Sequence, residues 1–184
     1  SYKGRINLLY NSNWENSNMM QSIMKASYLL HQSYSIISYS DIFYESFALK
    51  SLLNQQELSI LYSSSWKELW RKRFKKATDD AETFSIDSFG YLTNIGEPLD
   101  CLSNACGQYM GIISFTPKIF SVIKKIFYAL PKDKRDTIDV TSFLKHLLIS
   151  KSLNIKTIAY EGIWGEVDIP TDLDLYNSNS FQVP

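Results

Sequence analysis

Trp164-Gly165-Glu166-Val167-Asp168-Ile169-Pro170-Thr171-Asp172-Leu173 lies near the end of this sequence, and Ser38-Tyr39-Ser40-Asp41-Ile42-Phe43 lies far upstream of it. In each stretch an aspartate follows an apolar, β-forming run. Strand ends are where open α/β sheets gather their ligands. A lone strand-end aspartate is more often a turn former or a helix cap, so the weight falls on the pair. Asp41 and Asp168 brought to one place would suit Mg²⁺, which takes oxygen ligands, commonly one or two carboxylates, and completes its shell with water and phosphate. Glu166 alternates with Asp168 and shares its face of the strand. It reads equally as a supporting partner or further ligand of the metal site or as an exposed carboxylate.

Working outward, apolar β-forming runs at 5–10, 35–39, 58–62, 108–115, 155–160 and 162–167 alternate with helical patterns. Met20, Ile23, Met24, Ser27 and Leu30 recur at helical spacing behind Asn18, a good N-cap. Pro117 opens a helix reaching about Ala129, and Asp139 caps a second one carrying Val140, Phe143, Leu144, Leu147 and Leu148. Further helices are expected over 47–54 and from Pro170 to Tyr176. Trp66, Leu69, Trp70 and Phe74 share one face of a helix over 65–76, whose basic residues read as a solvated face. Asp87-Ser88-Phe89-Gly90 between two β-forming runs is a hairpin signal, with Gly90 supplying a positive φ. Strand–helix alternation implies an α/β fold with a mixed, mostly parallel sheet flanked by helices, plus a β-rich insertion around 80–115. One domain over 1–176 and a mobile tail over 177–184 are expected.

At 184 residues and 45% hydrophobic, the chain can bury a sizeable core. Nineteen basic and nineteen acidic residues cancel, so no overall field favours nucleic acid or an anionic membrane. No apolar run approaches the roughly 20 residues of a membrane span. Cys101 and Cys106 are too few for a disulfide scaffold and match no zinc spacing, which suits reduced thiols in a cytoplasmic protein. His31 and His146 have no serine or carboxylate partner at suggestive spacing, so a hydrolase triad is rejected. The amide cluster Asn11, Asn13, Asn16 and Asn18 reads first as turn chemistry. Neither G-x-G-x-x-G nor a P-loop is present.

Several segments taken in order carry a resemblance. They are Tyr10-Asn11-Ser12-Asn13-Trp14 with Asn18-Met19-Met20-Gln21-Ser22, Tyr39-Ser40-Asp41-Ile42, and Trp66, Trp70 and Arg73. Asp80-Ala81-Glu82-Thr83, Ile95-Gly96, Gly107-Gln108-Tyr109-Met110-Gly111-Ile112 and the Trp164–Leu173 stretch follow. The series resembles the C-terminal two-thirds of nucleotidyltransferases of the sugar-phosphate and phosphocholine (phosphonate) cytidylyltransferase type, which have a GT-A-like, Rossmann-like fold. The resemblance implies Asp41 and Asp168 as the catalytic, Mg²⁺-binding pair. It implies a substrate pocket bordered by Asn18, Ser22, Glu82, Gln108, Tyr109, Gly111, Trp164 and Glu166. It further implies a nucleoside triphosphate, CTP favoured, as one substrate and a small phosphate or phosphonate, such as phosphocholine or 2-aminoethylphosphonate, as the other.

The family's opening strand, glycine-rich loop with its arginine, and downstream lysine have no counterpart here and would precede Ser1. The resemblance thus implies an N-terminally truncated domain, inactive by itself, with an open sheet edge that favours self-association or association with the missing part. Two other classes stand beside this reading. The acid-x-acid run of Glu166 and Asp168 also suits a GT-A-type glycosyltransferase, and the missing glycine loop suits a non-catalytic fragment that binds a ligand or partner.

Overall fold

A computed structural model describes residues 4–178. Its helices are α1 (Met19–Lys25), α2 (Ser27–Leu30), α3 (Phe47–Leu52), α4 (Trp66–Arg73), α5 (Pro117–Ala129), α6 (Lys132–Thr137), α7 (Val140–Ile149) and α8 (Pro170–Asn177). Its strands are β1 (Ser35–Ser38), β2 (Ile42–Tyr44), β3 (Leu58–Ser63), β4 (Glu82–Ile86), β5 (Leu92–Pro98), β6 (Gln108–Phe115), β7 (Ile155–Tyr160) and β8 (Trp164–Glu166).

The central sheet has four strands in the order β1-β6-β3-β7. β3 and β7 form a parallel ladder, while β6 runs antiparallel to both β1 and β3. Three of the four strands therefore point the same way and β6 opposes them, a mixed sheet of the expected α/β kind. β3 and β6 are buried along almost their whole length, and Leu58, Ile60, Leu61, Met110 and Ile112 are fully enclosed. Continuous apolar strands of this sort need cover on both faces. Part of that cover is α5, begun by Pro117 and capped by the Thr116 side chain, which buries Phe120, Ile123 and Phe127. Another part is α7, whose N-cap Asp139 accepts from Ser142 N and which buries Val140, Phe143, Leu144 and Leu147.

The insertion is the expected antiparallel hairpin of β4 and β5. Its turn is held by Asp87 Oδ1, which accepts from the amides of Phe89 and Tyr91, and Gly90 has φ +79°. Thr157 N donates to Gly90 O at 3.0 Å, which pins the hairpin tip to β7.

Three expectations change. The run over 5–10 is not a strand: Ile6, Leu8, Leu9 and Tyr10 are exposed and pair with no strand among the described residues. A β-forming sequence without a ladder partner has nothing to satisfy its backbone or cover its side chains. The helix behind Asn18 breaks at Ala26 into α1 and α2. α6 is a polar helix that apolar periodicity does not reveal. The tail expected to be mobile from 177 starts inside α8, and its remainder over 179–184 lies outside the described residues.

Candidate active site

Beyond β1 the chain turns through Tyr39–Asp41 and enters β2, which pairs antiparallel with β8, Ile42 opposite Glu166 and Tyr44 opposite Trp164. The ladder extends one step further, because Val167 N donates to Asp41 O at 2.8 Å. The backbone at Asp41 thereby lies against the residue preceding Asp168. Gly165 permits this packing, since a Cβ there would meet the Phe43 ring at 2.5 Å and the Tyr176 hydroxyl at 2.8 Å. Those two rings instead meet edge to face, 4.7 Å apart.

Asp41 sits on the rim of a cavity of about 400 Å³ that Asn18, Ser22, Ser38, Tyr39 and Val140 also line. That volume is in the range of small-molecule sites. Asn18 caps α1, and its amide Nδ2 donates to Thr137 O at 3.1 Å, so α6 anchors this wall. Ser22 Oγ accepts from Asn11 Nδ2 at 3.0 Å, so the amide-rich loop supports the same wall. The opposite wall is Tyr39, whose ring lies against Gly111. That glycine has φ +75°, and a Cβ there would stand 2.8 Å from the Tyr39 ring.

Behind Tyr39 the Tyr109 ring stands nearly perpendicular at 6.0 Å. Both hydroxyls are buried without a hydrogen bond of good geometry. Burial pushes both phenols above their ordinary range, and the nearby Asp139 and Glu82 carboxylates add to this for Tyr39. Glu82 is itself raised, by burial first and then by Asp139 and Asp80. Gln108 Nε2 donates to Glu82 O at 2.6 Å, which ties the hairpin to β6.

Arg73 joins the end of α4 to the segment after β8. Its side chain is 1% exposed. Nη1 donates to Glu166 Oε2 at 2.9 Å and Nη2 to Asp168 Oδ2 at 2.6 Å. Nε and Nη2 hold both oxygens of Asp172 at 3.1 Å. Asp172 Oδ2 also accepts from the amides of Asp168 and Ile169, at 3.0 and 3.2 Å. The guanidinium lies 5.3 Å from the Trp70 ring and 5.0 Å from the Phe74 ring. Trp70 in turn stacks on Trp164 at 5.6 Å, so α4 and β8 share one aromatic layer.

Burial disfavours the Arg73 charge, but hydrogen bonds to Asp172 and Asp168 and the charge of Glu166 more than restore it. Burial likewise works against Asp172, yet Arg73 and the two amides hold it below the usual carboxylate range. Glu166 is pushed up to about 7 by burial, against the pull of Arg73 and with the help of Asp168 and Asp80. Asp80, Glu166 and Asp168 each offer a carboxylate oxygen, all within 4.8 Å of one another. All-oxygen donors of this kind fit a hard cation such as Mg²⁺.

Of the residues expected at the site, Asn18, Ser22 and Asp41 line the cavity, and Tyr109 and Gly111 support Tyr39 from behind. Glu166 and Asp168 come together on Arg73, whereas Asp41 is not a member of the three-carboxylate group. Trp164 is buried in the aromatic layer and Gln108 in a backbone link, both away from the cavity lining. Sequence reasoning missed Arg73, Asp172 and Asp80 as site residues, and it read Arg73 with the solvated face of its helix. The available signal was position: Arg73 follows Trp70 by three residues and so borders the apolar face.

No family model matches the chain. It is 30% identical over 177 residues, 90% of this chain and 69% of the relative, to a CTP:phosphoglutamine cytidylyltransferase of Campylobacter jejuni. It superimposes on an inositol-1-phosphate CTP transferase from T. maritima with a TM-score of 0.64, at 16% identity, over 88% of this chain. A Bacillus anthracis structure assigned as a glucose-1-phosphate thymidylyltransferase, in complex with a sucrose, gives 0.63 at 14% identity over 89% of this chain. The chain spans 60% and 61% of the length of those two. The fold agrees with both structures, and the identity and coverage of the Campylobacter relative decide the family: the chain belongs to the cytidylyltransferases among the nucleotidyltransferases.

Proposed function

We propose that the protein transfers a cytidylyl group from CTP to a small phosphate or phosphonate, with Mg²⁺ and with release of pyrophosphate. The observation that carries this reading is the β2–β8 ladder, which sets Asp41 on the cavity rim and against the strand end that leads to Asp168. In this reading an acceptor oxygen attacks the α-phosphorus, a new P–O–P bridge forms, and the bond to the pyrophosphate oxygen breaks in line. The nucleophile is already an oxyanion, so no base is required. Asp41 and Asp168 would hold Mg²⁺, with Glu166 and Asp80 close to the second of them. The bound ion supplies neutralisation of charge on the reacting phosphates.

Asn18 and Ser22 are fixed by α6 and Asn11, and so present a polar wall to the acceptor at little ordering cost. The Tyr39–Tyr109 wall excludes water from the other side. A reducing cytoplasmic setting agrees with two exposed free thiols, Cys101 and Cys106. Among the described residues no helix is long and apolar enough to cross a membrane.

The test is pyrophosphate release by the full-length protein with CTP, Mg²⁺ and a panel of phosphocholine, 2-aminoethylphosphonate, phosphoglutamine and sugar 1-phosphates. Metal-dependent release with one acceptor is expected. Nucleotide-sugar consumption without pyrophosphate would point to glycosyl transfer instead, and no turnover across wide nucleotide and acceptor panels would sink the reading.

A further inference from the structure

We propose that Arg73 is the positioning residue of the metal site: it fixes Asp168 and Glu166 by one oxygen each and is itself locked by Asp172. This rests on the reading of Asp168 as a metal ligand.

Among the described residues, Arg73 makes ion pairs with three separate carboxylates, and its side chain is 1% exposed. The arrangement is directional. Asp172 gives Arg73 both oxygens, at 3.1 Å each, and is 3% exposed, so this pair is the fixed base. The other two bonds, to Glu166 Oε2 and Asp168 Oδ2, each take only one oxygen of their carboxylate. Asp168 Oδ1 and Glu166 Oε1 make no hydrogen bond among the described residues. Those carboxylates, with Asp80, offer the oxygens that lie within 4.8 Å of one another.

The planar guanidinium suits this task where an ammonium does not. Its donors leave in fixed directions within one plane, so orienting Asp172 also orients Asp168 and Glu166. The Trp70 and Phe74 rings near the guanidinium restrict its tilt. Asp172 Oδ2 adds a second hold by accepting from the Asp168 amide, so one carboxylate fixes both the backbone and, through Arg73, the side chain of Asp168.

The experiment measures metal binding directly, with Mn²⁺ alone as probe, by paramagnetic resonance on the full-length protein, beside the Mg²⁺ dependence of turnover. Arg73→Lys keeps the buried charge but loses the fork. Its Mn²⁺ affinity is expected to fall about tenfold or more, the usual cost of losing a partner that orients a metal ligand. The Mg²⁺ concentration for half-maximal rate should rise in parallel, with the acceptor KM unchanged. Asp172→Asn, which keeps Arg73 but weakens its base, should shift both quantities the same way and less. Thermal unfolding of each variant gives its folded fraction. A merely structural Arg73 would lower the melting temperature while leaving Mn²⁺ affinity of the folded protein intact. A folded Arg73→Lys or Asp172→Asn with wild-type or tighter Mn²⁺ binding would overturn the proposal. So would a wild-type protein that binds no Mn²⁺. In either case pyrophosphate release by the wild type reports separately whether cytidylyl transfer itself stands.

Discussion

Asp172→Ala should be among the most destabilising substitutions in the protein, and the network around Arg73 sets the size of the loss. Asp172 is 3% exposed and accepts two hydrogen bonds from Arg73 and one each from the amides of Asp168 and Ile169. Truncation leaves a buried guanidinium short of one carboxylate and opens the start of α8. Breaking a buried ion pair from one side costs about 3–5 kcal/mol. Arg73 keeps Glu166 and Asp168, which lowers the figure, and the lost amide bonds, worth about 1 kcal/mol, raise it again. We therefore expect about 4 kcal/mol for Ala. Asn, which keeps one acceptor oxygen and the shape, should cost about 1–2 kcal/mol. In urea, with a slope of about 2 kcal/mol per molar, Ala should lower the midpoint by about 2 M with the slope unchanged. A loss below about 1 kcal/mol for Ala would show that Arg73 does not depend on Asp172 and would refute the reasoning.

Other outcomes follow from the same geometry. Gly111→Ala forces a Cβ to 2.8 Å from the Tyr39 ring at φ +75°, and should cost about 1–3 kcal/mol in urea unfolding while raising the acceptor KM. Gly165→Ala would push Phe43 and Tyr176 off the β2–β8 ladder, so turnover should fall more than stability does, which paired rate and melting measurements would reveal. The pH dependence of metal-free stability should carry the signature of Glu166. Its folded value of about 7 lies above the ordinary 4.5, so the native state binds more protons than the unfolded chain in between. The stability from this group is complete below about pH 4.5 and is lost as pH rises through 7, by at most about 3 kcal/mol. Glu166→Gln should flatten that decline in unfolding curves taken from pH 5 to 8, and an unchanged slope would contradict the assignment.

Much of the scaffold was legible because its signals are local. Pro117 and Asp139 mark the starts of α5 and α7, and apolar periodicity carries both helices to within a few residues of their observed ends. Asp87 and Gly90 together specify the β4–β5 turn. The residues that escaped are defined by long-range partners. β2 is three residues long and is recognisable as a strand only through β8. The 5–10 run has every local mark of a strand and no ladder among the described residues, since β propensity without a neighbour stabilises nothing. At the site, the pairing of Asp41 with the end of β8 could be inferred from two similar strand ends. Arg73 could not, because a cation on a basic helix looks solvated until α8 brings Asp172 to it. Asp80 is exposed in a loop, and only the approach of Glu166 and Asp168 marks it.

The central claim is that a cytidylyl group moves to a small phosphate or phosphonate at a site built on Asp41 and Asp168. Mass spectrometry of the reaction products tests it most directly, with the full-length protein, CTP, Mg²⁺ and the acceptor panel. Wild type should yield a product whose mass is acceptor plus cytidine monophosphate less water. Asp41→Asn and Asp168→Asn, folded by circular dichroism, should yield about a hundredfold less or none, as expected when ligands of a metal-dependent phosphoryl transfer are lost. Product formation at the wild-type rate by either variant, or no cytidylylated product from any acceptor with the folded wild type, would contradict it.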